Sequence, residues 1–129
     1  MLRIGLAKEE LKLRQNALTI LDSLDLSQHA NKACAGLPFG TMKRIELARA
    51  LINKPELLLL DEPATGLNQS EVNELTSLIK TLRNEYGLTI LLVEHHMGMV
   101  MGISDRVVVL DFGSKIAEGT PQELSLIHI

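Results

Sequence analysis

The sequence predicts an α/β fold in which parallel strands alternate with helices and a β-hairpin follows near the C-terminus. Two aliphatic runs, at 57–61 and 88–93, have the composition of strands buried on both faces of a parallel sheet. The stretch between them carries apolar residues three or four apart, which is typical of the helix in a βαβ unit. A polar turn at 111–114 between two apolar runs indicates the hairpin.

Composition limits the chain to one small domain or part of one. Its 129 residues are 46% hydrophobic but only 2% aromatic, so we expect an aliphatic core without aromatic platforms for stacking bases. The net charge of −3 also argues against nucleic-acid binding through a broad basic field. The single Cys34 cannot form an internal disulfide, which favours a reducing cytoplasm. We expect neither a bilayer-spanning segment nor a signal peptide, for which residues 1–6 are too short.

The segment before the first strand is predicted to be mainly helical. Residues 8–24 have an amphipathic pattern typical of a surface helix. Four leucines are expected on its packed face: Leu11, Leu18, Leu21 and Leu24. A connection follows over 25–40, with a short helix expected around 28–35. Residues 42–52 are rich in strong helix formers and come directly after a loop containing Gly and Pro, which predicts a further helix.

Caps and periodicity predict the helix between the two strands. Asn68 is a good N-cap, and Glu71 lies three residues later, as in a capping box. Apolar residues recur at helical spacing as far as Tyr86, and Gly87 is suited to ending the helix. We therefore expect a helix over 69–86.

The C-terminal part is predicted as a short helix, a hairpin and the start of another helix. Residues 97–103 contain three methionines, which we expect to pack in the core rather than to bind metal. Strands over 105–110 and 115–119 would form the hairpin. Thr120 as cap and Pro121 at the first position indicate the start of a last helix.

Polar residues follow both predicted parallel strands. Asp61 and Glu62 end the first strand, and His95 follows the second, with His96 as the alternative. Because ligands of open α/β sheets bind at the carboxyl ends of strands, Asp61, Glu62 and His95 are expected to converge. From the residues alone, a polar turn after a buried strand and an exposed histidine at a strand end remain open alternatives.

A loop over 36–41 opens into the helix predicted over 42–52. Free amides and the positive end of the helix dipole would suit an anion such as phosphate there. A simple helix-starting turn explains the same pattern. No HxxxH or CxxC pattern accompanies His29 or Cys34, so a metal site built from side-chain clusters is not expected.

Taken together, these segments resemble the ATP-binding subunit of ABC transporters. The motifs are the glycine-containing loop, the helix with Ala-Arg-Ala-Leu, the Lys54-Pro55 turn and the strand ending in Asp-Glu-Pro. The resemblance covers residues 8–124 and implies a partial P-loop NTPase domain, from its helical subdomain onward. Residues 1–53 would be the helical subdomain and signature helix, and 54–129 the Walker B to C-terminal part of the core.

The resemblance also implies roles for the strand-end residues. Asp61 would bind Mg²⁺, and Glu62 would act as the general base on the attacking water. His95 would be the switch histidine that contacts the γ-phosphate. Ala64–Asn68 resembles the D-loop, in which Asn68 stands where many members have Asp.

The loop before the predicted helix matches the position of the family's signature loop, usually Leu-Ser-Gly-Gly-Gln. By resemblance it clamps ATP bound to the opposite subunit, and its residues here are Leu37, Pro38, Phe39, Gly40 and Thr41. Only Leu37 and Gly40 keep the usual residue, since Pro38 replaces the serine and Phe39 a glycine. A Leu-Pro-aromatic-Gly version is similar to that of importers for branched-chain amino acids.

The resemblance implies an ATP-binding and ATP-hydrolysing subunit of an importer, most like those for branched-chain amino acids. Its cofactors would be ATP and Mg²⁺. Its partners would be a second ATP-binding subunit in a homo- or heterodimer, transmembrane permease subunits and, indirectly, a solute-binding protein, with no nucleic acid. It would lie in the cytoplasm, peripheral to the membrane.

The phosphate-cradling Walker A pattern, G-x-x-x-x-G-K-[ST], does not occur in the 129 residues. We therefore expect a truncated or split protein or a fragment of a longer chain, with negligible ATP hydrolysis by itself, because phosphoryl transfer depends on positioning. The alternative is a non-catalytic remnant or docking module. The ATPase head of a chromosome-maintenance or DNA-repair protein is a third interpretation, disfavoured by the lack of long heptad repeats.

Overall fold

The structure is a computed structural model that describes residues 2–127. It confirms the α/β class, with helices, a parallel strand pair and an antiparallel hairpin. His128, to which the sequence assigns no role, lies outside the described residues. The elements in chain order are α1 Leu2–Ser23, a 3₁₀ turn Ser27–His29, α2 Phe39–Leu51, β1 Leu57–Asp61, α3 Gln69–Tyr86, β2 Thr89–Val93, α4 Met97–Ile103, β3 Val107–Asp111, β4 Ser114–Gly119 and α5 Pro121–Ser125.

The parallel pairing of β1 with β2 is confirmed. The register places Leu57 opposite Thr89 and Asp61 opposite Val93, so both strands end at the same edge. One hydrogen bond beyond the strands, from the Glu62 amide to the Val93 carbonyl at 2.8 Å, extends this pairing. The polar residues after each strand are therefore neighbours in space.

Helix α3 makes the crossover between the two strands and has the predicted ends. Asn68 Oδ1 accepts a hydrogen bond from the Glu71 amide at 3.0 Å, and Glu71 Oε2 accepts one from the Asn68 amide at 2.9 Å. Gly87 ends the helix with φ of 61°, in the left-handed region that glycine adopts readily. Both caps formed as the sequence indicated because their hydrogen bonds are local.

The main core lies between the helices and one face of the β1–β2 sheet. It is aliphatic, as expected, apart from one methionine. Its largest members are Ile20, Leu24, Leu26, Leu47, Leu51, Leu58, Val72, Leu75, Ile79, Leu82, Leu88 and Met99. A smaller cluster of Val100, Val107 and Leu124 packs α4, β3 and α5 together.

The prediction that both strands are buried on both faces is wrong for this chain. Leu58, on the core side of β1, is 6% exposed. On the opposite side, Leu57 and Leu59 are 53% and 65% exposed, and their neighbours Leu91 and Val93 on β2 are 59% and 55% exposed. The reason is that the described elements pack against one face of the sheet only. We call the set Leu57, Leu59, Leu91 and Val93 the open apolar face.

Two N-terminal predictions also need correction. Helix α1 begins at Leu2, and only its last turns reach the core. Leu11 and Leu18, expected on a packed face, are therefore exposed. The helix expected around 28–35 is reduced to the 3₁₀ turn, and Gly36 follows in a left-handed conformation with φ of 82° that ordinary helix residues rarely adopt.

The C-terminal elements follow the sequence closely. The β3–β4 hairpin turns at Phe112–Gly113, both with positive φ, as in the mirror-image turns that suit hairpins. Thr120 and Glu123 form a capping box at the start of α5. Of the methionines expected to pack in α4, Met99 is buried, but Met97, the first residue of the helix, is exposed. Among the described residues, no helix is both long and apolar enough to cross a bilayer.

Two alanine substitutions in β1 test the one-sided burial of the sheet. Leu58→Ala is expected to lower the free energy of unfolding by about 2–5 kcal/mol, because it empties a packed position. Leu59→Ala, one residue along, should lower it by less than about 1 kcal/mol, since this side chain already faces solvent. Urea unfolding at low micromolar concentration measures both. Equal losses would mean that the open apolar face is packed in solution.

Candidate functional site

The candidate site lies at the carboxyl ends of β1 and β2. Glu62 directly follows β1, and His95 lies two residues after β2. His95 Nδ1 is 3.7 Å from Glu62 Oε1. Both side chains are exposed, so solvent screens the pair and it adds little to stability. The two side chains are available to a ligand rather than used to hold the fold together.

The backbone at Glu62 has an unusual conformation. Its φ of 45° lies in the left-handed region, which for a residue other than glycine costs about 1–2 kcal/mol. The Thr65 amide donates to the Glu62 carbonyl at 3.1 Å, and Thr65 Oγ1 donates to Glu62 Oε2 at 3.3 Å. Residues 62–65 thus form a tight turn that directs the Glu62 carboxylate toward His95.

Asp61 is the last residue of β1 and is exposed. Because side chains alternate along a strand, it shares its side of the sheet with Leu57 and Leu59. Mg²⁺ is usually held by one or two carboxylates together with substrate phosphates. Within residues 2–127, no group of three His, Cys, Asp or Glu side chains converges as a metal site. Asp61 therefore fits one ligand position for Mg²⁺ but does not complete a site in this part of the chain.

Glu94, which the sequence analysis did not single out, accepts three hydrogen bonds from backbone amides at this edge. Its Oε1 accepts from the Ala64 amide at 2.8 Å, and its Oε2 accepts from the His95 and His96 amides at 3.0 and 3.1 Å. Partial burial raises the pKa of Glu94. The amides of Ala64, His96 and His95 and the charge of His95 outweigh burial and hold the pKa below its ordinary value of 4.5. The only signal in the sequence was an acid immediately before two histidines.

His96, the alternative to His95, is engaged in secondary structure. Its Nδ1 accepts a hydrogen bond from the Met99 amide at 3.3 Å, which caps the start of α4. A nitrogen that accepts a hydrogen bond carries no proton of its own. The His96 ring therefore serves as the N-cap of α4. His95 is the histidine beside Glu62.

The segment 37–41 is only partly a loop. Leu37 is half-buried, Pro38 occupies the N-cap of α2, and the first turn of the helix contains the other three residues of the segment: Phe39, Gly40 and Thr41. Helix α2 thus begins three residues earlier than predicted, because the φ of Pro38, −54°, suits the start of a helix.

Two glycine contacts connect the start of α2 with the turn before α3. A Cβ added to Gly66, whose φ is 82°, would lie 2.8 Å from Cε1 of Phe39. A Cβ on Gly40 would lie 3.3 Å from Oε1 of Glu71 in the capping box. Lys43 Nζ lies 5.3 Å from the Phe39 ring centroid, within cation–π range. The segment 37–41 therefore packs on the 64–68 turn, and Asn68 remains engaged as the cap of α3.

A cavity of about 360 Å³ opens beside the strand ends. Glu62, His95 and Glu94 line it together with the turn 64–67. Residues 37–41 do not line it, although they contact the same turn from another side. A larger open groove of about 560 Å³ between α1, α2 and α3 contains none of the predicted site residues. The described chain therefore presents two separate candidate surfaces, one at Glu62–His95 and one at 37–41.

Sequence comparison relates the chain to transport ATPases. A family model described as ABC transporter matches residues 3–65. The chain is 49% identical over 84% of its length to the high-affinity branched-chain amino acid transport ATP-binding protein LivG of Salmonella typhimurium. It is 40% identical over 91% of its length to BraF of Pseudomonas aeruginosa, which has the same description. These matches span 42% and 46% of the relatives, so the chain spans less than half of their length.

Solved structures give the same relationship. The ADP conformation of MJ1267, an ATP-binding cassette of an ABC transporter, aligns with a TM-score of 0.80 at 30% identity. That alignment covers 87% of this chain and 44% of the other. The cbiO1 protein of Clostridium perfringens, part of the ABC transporter complex cbiONQ, aligns with a TM-score of 0.85 at 31% identity, covering 90% and 46%.

The Glu94 contacts predict a pH-dependent stability. The pKa of this carboxyl is lower in the folded chain than in the unfolded chain, so its ionised form stabilises the fold above the unfolded pKa, near 4.5. That contribution is lost as the pH falls through the folded pKa. Wild type should exceed Glu94→Gln in free energy of unfolding at pH 7, and the difference should shrink below pH 4.5. Chemical unfolding across this range measures it, and a constant difference would contradict the contacts.

The contact between Phe39 and Gly66 predicts a coupled pair of substitutions. Gly66→Ala is expected to cost about 1–3 kcal/mol, because the methyl group meets the Phe39 ring and the positive φ disfavours alanine. Phe39→Leu removes the steric part of that cost. The double variant should therefore lose less stability than the sum of the single variants, as measured by urea unfolding. Strict additivity would mean that the ring does not sit on Gly66.

Proposed function

We propose that this chain is a part of an ABC transporter ATP-binding protein and that it supplies part of the ATP-hydrolysing domain of an importer. The observation that carries the proposal is the juxtaposition of Glu62 and His95, 3.7 Å apart, at the ends of parallel neighbouring strands. A carboxylate can accept a proton from water, and a neighbouring histidine can orient that water. The names of the relatives support branched-chain amino acids as the transported class.

Each strand-end residue has a distinct part in this proposal. The Glu62 carboxylate accepts the proton of the water that attacks the γ-phosphate. His95 donates a hydrogen bond to the terminal phosphate. Asp61 supplies one oxygen ligand to Mg²⁺. When bound with the nucleotide, that ion neutralises charge on the phosphates.

The segment 37–41 and Asn68 are proposed to act on a second ATP-binding subunit. Their separation from the cavity at Glu62 supports contact with nucleotide held elsewhere. The Phe39 side chain is about half exposed at the start of α2, where free amides suit phosphate. In the proposed division, 1–53 is the helical subdomain with the signature helix, and 54–129 is the Walker B to C-terminal part of the core.

The open apolar face supports the proposal that the remaining part of the domain packs on this sheet. Four aliphatic side chains on adjacent strands are more than a solvated sheet face ordinarily shows. With that part in place, the domain would work with a second ATP-binding subunit and with permease subunits at the cytoplasmic face of the membrane. A solute-binding protein would act with the permeases. By itself, the chain is proposed to hydrolyse ATP negligibly.

The second candidate function is a docking module without activity of its own. The open apolar face favours it, because an exposed aliphatic surface binds a partner whether or not the partner supplies catalysis. The two functions differ in whether Glu62 matters to turnover once the domain is complete.

A chimera separates the two functions. This chain would replace the matching segment of LivG from Salmonella typhimurium, and Mg²⁺-dependent ATP hydrolysis and branched-chain amino acid uptake would be measured with that protein's partners. We expect activity that Glu62→Gln lowers by about 100-fold or more. Glu56→Gln, an exposed carboxylate at the opposite end of β1, is the matched control and should retain activity. A folded but inactive chimera would favour the docking module.

The isolated chain provides the complementary test. Calorimetry with MgATP is expected to show no binding, because the residues proposed to contact phosphate and Mg²⁺ do not form a complete site here. Turnover by the purified chain that disappears in Glu62→Gln would contradict the proposal that this part is inactive by itself.

A further inference from the structure

We propose that Glu94 is a positioning residue that ties the turn after β1 to the segment after β2 and thereby sets the separation of Glu62 and His95. The proposal deepens the function proposed above, on which it rests for the reaction that the geometry serves. The positioning itself is a property of the chain and can be tested without nucleotide.

The Glu94 carboxylate divides its two oxygens between segments that are distant in sequence. Oε1 accepts from Ala64, thirty residues earlier, at 2.8 Å. Oε2 accepts from the consecutive amides of His95 and His96 at 3.0 and 3.1 Å. Hydrogen bonds from amides to a charged acceptor are the stronger kind, and three of them hold a carboxylate in one orientation. One side chain thus fixes the main chain on both sides of the site.

The contact between Glu62 and His95 does not hold these residues in place by itself. At 3.7 Å, His95 Nδ1 and Glu62 Oε1 lie beyond hydrogen-bonding distance, and both side chains are exposed and screened. What limits their relative position is the main chain. Ala64, two residues after Glu62, is buried at 8% exposure and has its amide bound by Glu94. The main-chain amide of His95 is bound by the same carboxylate.

The chemistry of the contact makes the charge of Glu94 matter. All three partners are N–H donors, so the site needs acceptors only. A glutamine keeps one acceptor oxygen and places an NH₂ donor where the other oxygen stood. Glu94→Gln therefore leaves one of the two segments without its partner, while the volume of the side chain is kept.

Histidine-selective NMR on the 129-residue chain tests the coupling. In the wild-type background, Glu62→Gln is expected to shift the ring signals of His95. In the Glu94→Gln background, the same substitution should shift them much less, because one carboxylate no longer binds both the turn at Ala64 and the main chain at His95. Glu123→Gln is the matched control: it also removes a carboxylate that accepts a backbone amide, from Thr120 at 2.8 Å, but in the cap of α5. It should leave the response of His95 intact.

The outcomes are distinct. An undiminished response of His95 in Glu94→Gln overturns the proposal, and a response lost equally in Glu123→Gln also overturns it, since that loss would be general. Should Glu94→Gln not fold, Glu94→Asp keeps the charge on a shorter side chain and should weaken the coupling. In the LivG chimera, Glu94→Gln should lower kcat by about tenfold or more with little change in KM for ATP. An inactive chimera with intact NMR coupling would refute the proposed function and leave the positioning role standing.

Discussion

The parallel pairing of β1 with β2 is the constraint on which the rest of this chain depends. Helix α3 covers one face of the pair, and its Val72, Leu75, Ile79 and Leu82 belong to the same buried cluster as Leu58. The same pairing, extended by the hydrogen bond from Glu62 to Val93, brings both strand ends to one edge. Burial on one side of the sheet and convergence of polar residues at its edge are therefore two results of one arrangement.

Local hydrogen bonds then give definite geometry to an edge that has little apolar packing of its own. The capping box at Asn68, the cap of α4 by His96 and the amides bound by Glu94 each satisfy donors that would otherwise be free at a helix or strand end. Phe39 on Gly66 adds a steric contact that relates the start of α2 to the same turn. These contacts leave Glu62 and His95 exposed and close together at the edge.

The open apolar face connects the structure with the length of the relatives. The chain spans 42% of LivG, and its sheet presents aliphatic residues on the side that no described element covers. A strand rich in leucine on both faces is typical of the interior of a layered α/β domain. The composition of β1 and β2 thus suits a larger assembly than the described part of this chain, within which we propose that the site is completed.

Features whose physical cause is local could be predicted from the sequence. The span of α3, its caps at Asn68 and Gly87, the hairpin turn at Phe112–Gly113 and the parallel strand pair could all be predicted, because periodicity, capping and turn chemistry act over a few residues. The resemblance to the ATP-binding family likewise rested on contiguous motifs. The folded structure was needed to show which strand faces are covered, that Leu11 and Leu18 face solvent, and that Glu94 binds an amide thirty residues away. Those outcomes depend on which elements lie across the sheet or across the edge, and a pattern along one segment carries no information about the partner that it meets.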